Sequence, residues 1–242
     1  MLAGAWRSNG IAPCTPRCNV PSMFLTRPMD LPSIIPVFPL PNVVLFPGAP
    51  LPLHIFEPRY RQMVQDAAAG HEIIGMALLR GDWQKRYHEH PEIFDTGCAG
   101  KLVNVESLPA GKFNIVLHGM REFSVVRHIF DKPYREAEVR WRTGGHTAIG
   151  AECRAGLVQL LGQFLRAAPS SQAHRLLHDQ SLSDELLVNF FSFALDIEPL
   201  EKQGLLEATT LAARAERLTE IVEFHIEESR LTSKRSGPDR CH

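Results

Sequence analysis

Between Ile35 and Arg59 the chain reads IPVFPLPNVVLFPGAPLPLHIFEPR, apolar residues interleaved with Pro36, Pro39, Pro41, Pro47, Pro50, Pro52 and Pro58. Proline lacks an amide hydrogen and steers its predecessor away from helix, so this stretch cannot be helical. It is also too apolar to be a solvated linker. What remains is a set of short edge strands and rigid turns pinned onto a β core, because edge positions tolerate a missing donor.

The rest of the chain divides by period. Glu57-Pro58 reads as a helix start, with Tyr60, Met63, Val64 and Ala67 on one face and Gly70 as the stop. Glu72–Leu79 is a nearly continuous apolar run, the mark of a buried strand. Gly81–Phe94 is polar and reads as a long loop. Gly97–Leu108, Phe113–Leu117, Glu122–Ile129 and Tyr134–Trp141 read as further strands, with turns at Pro109-Ala110-Gly111-Lys112 and Asp131-Lys132-Pro133. Thr143-Gly144-Gly145-His146 ends the strand pattern. Helical spacing follows: Leu157, Leu160, Leu161, Phe164 and Leu165, then Ser183 as an N-cap, a helix opened by Pro199, and a last one capped by Thr209 or Thr210.

The expected fold is therefore α+β: a small β-barrel of about six strands with one short helix, followed by a C-terminal helical bundle. The expected divisions are an extension over residues 1–33, a barrel subdomain over 34–146, a bundle subdomain over 147–230 and a frayed tail over 231–242. Residues 1–29 hold three arginines and no acid. That composition fits an organellar transit peptide, a disordered extension, or an upstream start with initiation at Met23 or Met29.

Bulk properties narrow the function. The 242 residues are 44% hydrophobic and 22% charged, enough for a substantial core. A net charge of −1 gives no reason to expect a polyanion partner, and acidic residues predominate over 150–230. No uncharged apolar run approaches the roughly 18 residues of a membrane span. Five scattered cysteines (Cys14, Cys18, Cys98, Cys153, Cys241) fit neither a disulfide framework nor a four-ligand zinc site, which points to a reducing compartment, most simply the cytoplasm.

Several motifs together resemble the N-terminal, substrate-binding domain of Lon proteases. The opening is Pro39-Leu40, Val44-Leu45-Phe46-Pro47-Gly48, Leu51-Pro52-Leu53 and Ile55-Phe56-Glu57 with Arg59-Tyr60. Gly97-Cys98-Ala99-Gly100-Lys101-Leu102, Leu108-Pro109-Ala110-Gly111-Lys112 with Ile115, Leu117 and Gly119, Tyr134-Arg135-Glu136-Ala137-Glu138-Val139 and Lys202-Gln203-Gly204-Leu205-Leu206-Glu207 are similar to later family segments. The match covers roughly 34–228. Two departures stand out: Ala110 where the family usually has aspartate, and Glu122 where arginine is expected. The resemblance implies a stand-alone bacterial-type member without ATPase or protease domains. Its implied task is non-catalytic binding of exposed hydrophobic protein segments.

Chemical motifs are sparse. Gly100-Lys101 and Gly111-Lys112 lack the spaced glycine and the following Ser or Thr of a phosphate-cradling loop. Cys98 has no neighbouring base or cation in sequence to activate it and reads as a small buried hydrophobe. His174 and His178 share a helix face, but two ligands do not make a zinc site; His88 and His90 read as surface residues. Glu57 and Arg59 read as structural groups at a helix entry. No catalytic residue, metal ligand or cofactor is expected.

The binding candidates are aromatic. Trp83, Tyr87 and Phe94 lie in or close an otherwise polar loop, and large amphipathic rings commonly anchor recognition surfaces; the alternative is that they fold back to cap the barrel. Leu40, Val43 and Phe46 form a second candidate patch on the stiff proline segment, with burial as its alternative. The implied partners are unfolded or flexible protein segments, together with a separate protease or chaperone. An RNA-binding PUA-like module is the alternative function.

Overall fold

A computed structural model describes residues 31–86, 89–143, 148–167, 171–179 and 181–235. The extension expected over 1–33 lies, up to residue 30, outside the described residues. The described residues from 32 onward form one compact unit. In chain order it contains β1 (Ile34–Leu40), β2 (Pro50–Ile55), α1 (Pro58–Ala69), β3 (Ile73–Leu78), β4 (Thr96–Leu108), β5 (Lys112–Ile129), β6 (Glu136–Trp141), α2 (Ala151–Ala167), α3 (Ser171–Leu177), α4 (Asp184–Ala194), α5 (Pro199–Glu207) and α6 (Leu211–Arg235).

The strands form one sheet in the order β2-β5-β4-β3-β1-β6, and β6 returns to pair with β5. The expected small barrel is thus corrected to a six-stranded mixed sheet. Five strands close a ring and β2 hangs on β5 outside it. The β4–β5 ladder is broken by register shifts at Ala99/Gly100 and Leu102/Asn104, and β1 runs parallel to β3. Bulges of this kind bend and twist the strands they interrupt.

Two strand expectations need correction. Phe113–Leu117 and Glu122–Ile129 are not separate strands but parts of the 18-residue β5. The strand passes through Gly119 because that residue has no side chain: a Cβ there would sit 2.0 Å from the Phe46 carbonyl oxygen. Nor is the proline segment all edge. β1 is internal, between β3 and β6, yet its prolines are tolerated because its two halves have different partners. Ile34–Pro36 are in register with β6 and Val37–Leu40 with β3, and the Val37 amide still donates to the Arg135 carbonyl beside β6 at 2.8 Å, so Pro36 and Pro39 each pair in register with one strand.

Helix α1 forms as its sequence dictates. Glu57 is the N-cap, Pro58 opens the helix, the chain leaves it at Gly70, and Tyr60, Met63, Val64 and Ala67 are buried. β3, the apolar run, is buried along its whole length. In the helical part, the Ser183 hydroxyl accepts the Leu186 amide hydrogen at the start of α4, and the Thr210 hydroxyl accepts that of Ala213 at the start of α6. Helix α6 packs against α2, α4 and α5, burying Ala215, Leu218 and Val222. It runs through Arg235, beyond the point at which a frayed tail was expected.

The sheet and helices share one apolar core and are joined by a polar clamp. Glu122 on β5 forms ion pairs with Arg214 of α6 and, at 3.3 Å, with Arg142. Arg142 also donates to the carbonyls of Leu206, Glu207 and Ala208 at 2.9, 3.2 and 3.1 Å, meeting the negative end of α5 with a cation. Gln203 reaches from α5 to the Thr96 carbonyl at 3.0 Å.

Candidate functional site

The loop between β3 and β4 is built from its base outwards. The Arg80 amide donates to the Glu92 carbonyl and the Phe94 amide to the Leu78 carbonyl, both at 2.9 Å, and Leu79 bridges to Ile93. Ile93 is buried, fixing the returning arm. Trp83 begins a short 3-10 turn, Trp83–Arg86, and is half-buried. Phe94 is half-buried against the core, with the Arg80 guanidinium 5.7 Å from its ring centre. Tyr87 lies outside the described residues.

The proline-segment candidates separate. Leu40 and Val43 are half-buried on the core. Phe46 is fully buried, its ring facing the Arg214 guanidinium at 5.6 Å, so it offers no surface to a partner; a rigid apolar segment packed between a strand and helices loses its rings to the core first. Leu40 belongs with the loop rather than with Phe46. Its carbonyl accepts the Leu79 amide hydrogen at 3.0 Å, while Phe94 bonds to Leu78. Leu40 and Phe94 therefore flank β3 from opposite sides, at the rim where the loop leaves the sheet.

Phe130 extends this rim and was not anticipated. It is 44% exposed, just after β5, and the His90 ring from the loop packs on it with centroids 4.0 Å apart. The signal was a phenylalanine directly before the Asp131-Lys132-Pro133 turn, where strand alternation has already ended.

Two small clefts flank Tyr134. The first, about 160 Å³, lies between the start of β1, the end of α1 and the turn before β6. Its charges are matched: Tyr134 donates to Asp66, and Lys132 pairs with Glu136 at 3.0 Å and Asp66 at 3.6 Å. The Tyr134 hydrogen bond, with help from Gln62, holds the Asp66 carboxyl below its usual range. Burial and that same bond push the Tyr134 hydroxyl up to about 12. The second cleft, about 80 Å³, is lined by Arg59, Tyr60, His90, Tyr134 and Arg135 among others. Here the Glu57–Arg59 pair stands at 3.0 Å at the entry to α1.

The remaining sequence candidates sit as follows. Cys98 is fully buried, and burial, followed by the charge of Glu122, pushes its thiol well above the ordinary range. Such a thiol stays protonated and inert. His178 is exposed after α3, and among the described residues no three His, Cys, Asp or Glu side chains cluster as metal ligands would. No described helix is long and apolar enough to cross a membrane.

The family model of the ATP-dependent protease La (LON) substrate-binding domain matches residues 34–223. The chain is 25% identical over 203 residues to a Lon protease of Cytophaga hutchinsonii, covering 82% of this chain and 25% of that protein. It is 24% identical over 217 residues to a Lon protease of Anaeromyxobacter dehalogenans, covering 85% and 25%. The chain thus spans about a quarter of the length of these curated relatives. Among solved structures, a Lon N-terminal domain protein from Xanthomonas campestris superposes with a TM-score of 0.58 at 24% identity, over 76% of this chain and 96% of that one. The N-terminal domain of the Mycobacterium avium complex Lon protease gives 0.61 at 17%, over 79% and 99%.

Proposed function

Because the chain belongs to the Lon substrate-binding domain family, we propose that it is a non-catalytic module that binds exposed hydrophobic segments of flexible or unfolded proteins. The region matched is the substrate-binding part of the family, which supports a role without bond-breaking chemistry. The observation that carries the placement is the rim around the β3–β4 loop. Half-buried Leu40 and Phe94 lie at its base, half-buried Trp83 stands further along the loop, and exposed Phe130 is reached through His90. Rings held by a zipped loop lose little freedom when a chain settles on them, so modest apolar area yields binding. Val43 borders the same proline segment and completes the proposed surface. A separate protease or chaperone in the cytoplasm is the proposed recipient of bound chains. The alternative of an RNA-binding module draws no support from the matched relatives.

The test is fluorescence anisotropy with a labelled, permanently unfolded polypeptide, comparing the wild type with Trp83→Ala and Phe130→Ala. Each truncation of a contact ring is expected to weaken binding by roughly five- to thirtyfold, the 1–2 kcal/mol common for interface aromatics. Unchanged affinity in both variants, with the melting temperature preserved, refutes this placement.

A further inference from the structure

Arg135 is 6% exposed and lines the smaller of the two clefts. One arm of its guanidinium donates to the Pro91 carbonyl, and the group lies 5.4 Å from the Phe130 ring centre. Among the described residues no carboxylate comes within ion-pair distance of it. Other shielded arginines are treated differently by this fold: Arg142 and Arg214 share Glu122, and Arg154 faces Asp184. Burying a guanidinium without a counter-charge is costly, and arginine does not escape by losing its proton. A cation left in this condition at the wall of an opening is one that an incoming anion would relieve.

We propose that this cleft is a carboxylate-binding subsite of the polypeptide surface, with Arg135 as the group that receives the carboxylate. The inference rests on the peptide-binding reading above and adds an electrostatic preference to it. The opening is about 80 Å³, close to the share of two or three liquid waters. It holds a carboxylate and its adjoining methylene, but not a ring. The guanidinium fork matches the two oxygens of a carboxylate. Tyr60 and Tyr134 form apolar walls that strengthen the attraction by excluding water. Arg59 also lines the cleft but already has Glu57 at 3.0 Å, and exposed Glu89 stands at the mouth without pairing to Arg135. The position also follows from the sequence: Arg59-Tyr60 and Tyr134-Arg135, far apart in the chain, meet here. Phe130, which contacts both His90 and Arg135, joins the cleft to the apolar rim. A segment bound there would thus be apolar with one acidic group, either a side chain or a free chain terminus.

The experiment uses the full chain and four labelled, unstructured Leu/Ser decapeptides: one central Glu or Gln, each with a free or an amidated C-terminus. A Glu peptide binding about tenfold more tightly than its Gln twin, as a charge-assisted pair allows, supports the side-chain source. The same preference for the free terminus over the amide supports the terminal source. Arg135→Met is expected to erase either preference, so that the Glu peptide binds no better than its Gln twin and the free terminus no better than the amide. Arg135→Lys, which keeps the charge but not the fork, is expected to reduce the preference and serves if the Met variant does not fold. Equal binding of all four peptides by the wild type overturns the inference and leaves the peptide-binding reading standing. Binding of none defeats that reading, and this one with it. A preference that survives in both Arg135 variants moves the site elsewhere and overturns the assignment.

Discussion

Replacing Glu122 with Gln removes one negative charge and almost no volume. The carboxylate is held between two guanidiniums, with side-chain exposures of 12% for Glu122, 6% for Arg214 and 19% for Arg142. Removing one side of a buried ion pair typically costs about 3–5 kcal/mol, because the partner charge is stranded. Both arginines here retain other acceptors: Arg214 keeps the Leu205 carbonyl at 2.9 Å and the Asn189 side chain, and Arg142 keeps the Leu206, Glu207 and Ala208 carbonyls at the end of α5. The loss should therefore fall at the lower end, about 3 kcal/mol. For a chain of this size each kcal/mol moves the melting temperature by about 2–4 °C, so a fall of about 6–12 °C is expected by calorimetry, with a matching drop in urea midpoint. Glu122→Arg, which installs the residue the family resemblance leads one to expect, should be worse, since three cations would then meet. Glu122→Gln combined with Arg214→Met should recover much of the loss by removing a stranded charge. A cost below about 1 kcal/mol for Glu122→Gln, or no recovery in the double variant, refutes the idea that Glu122 neutralises the sheet–helix clamp.

Two further predictions concern the sheet. Ala110, in the β4–β5 turn, has φ 61° and ψ 26°, the left-handed region, followed by Gly111 at φ 67°. A side chain there costs about 1–2 kcal/mol, which glycine avoids at some entropic cost, so Ala110→Gly should stabilise the chain by roughly 1 kcal/mol in urea unfolding; a loss would contradict it. At His128, burial, followed by the charge of Arg135, holds the imidazole below its ordinary 6.5, against the opposing pull of Asp95. The unfolded chain then binds the proton first, so stability should fall as pH drops below about 6.5 and level off beneath the folded-state value. His128→Gln should flatten that slope between pH 7.5 and 5, and an unchanged slope would assign it to other groups.

What the sequence determined by itself is local. Prolines excluded helix from 35–57, Pro58 and Gly70 bounded α1, and Ser183 and the Thr209-Thr210 pair marked the starts of α4 and α6, because these effects act within a few bonds or one helical turn. The long motifs were specific enough to name the family, since they record a whole fold in one line of residues. Tertiary structure decided the rest. It made β5 one strand by passing Gly119 against Phe46, and it sank Phe46 while leaving Leu40 and Phe94 together at a rim. It also gave the departure at Glu122 two arginines to face and set Arg135 in a cleft where, among the described residues, no carboxylate pairs with it. Exposure and charge pairing depend on residues brought near from dozens of positions away, and no window along the chain contains both partners.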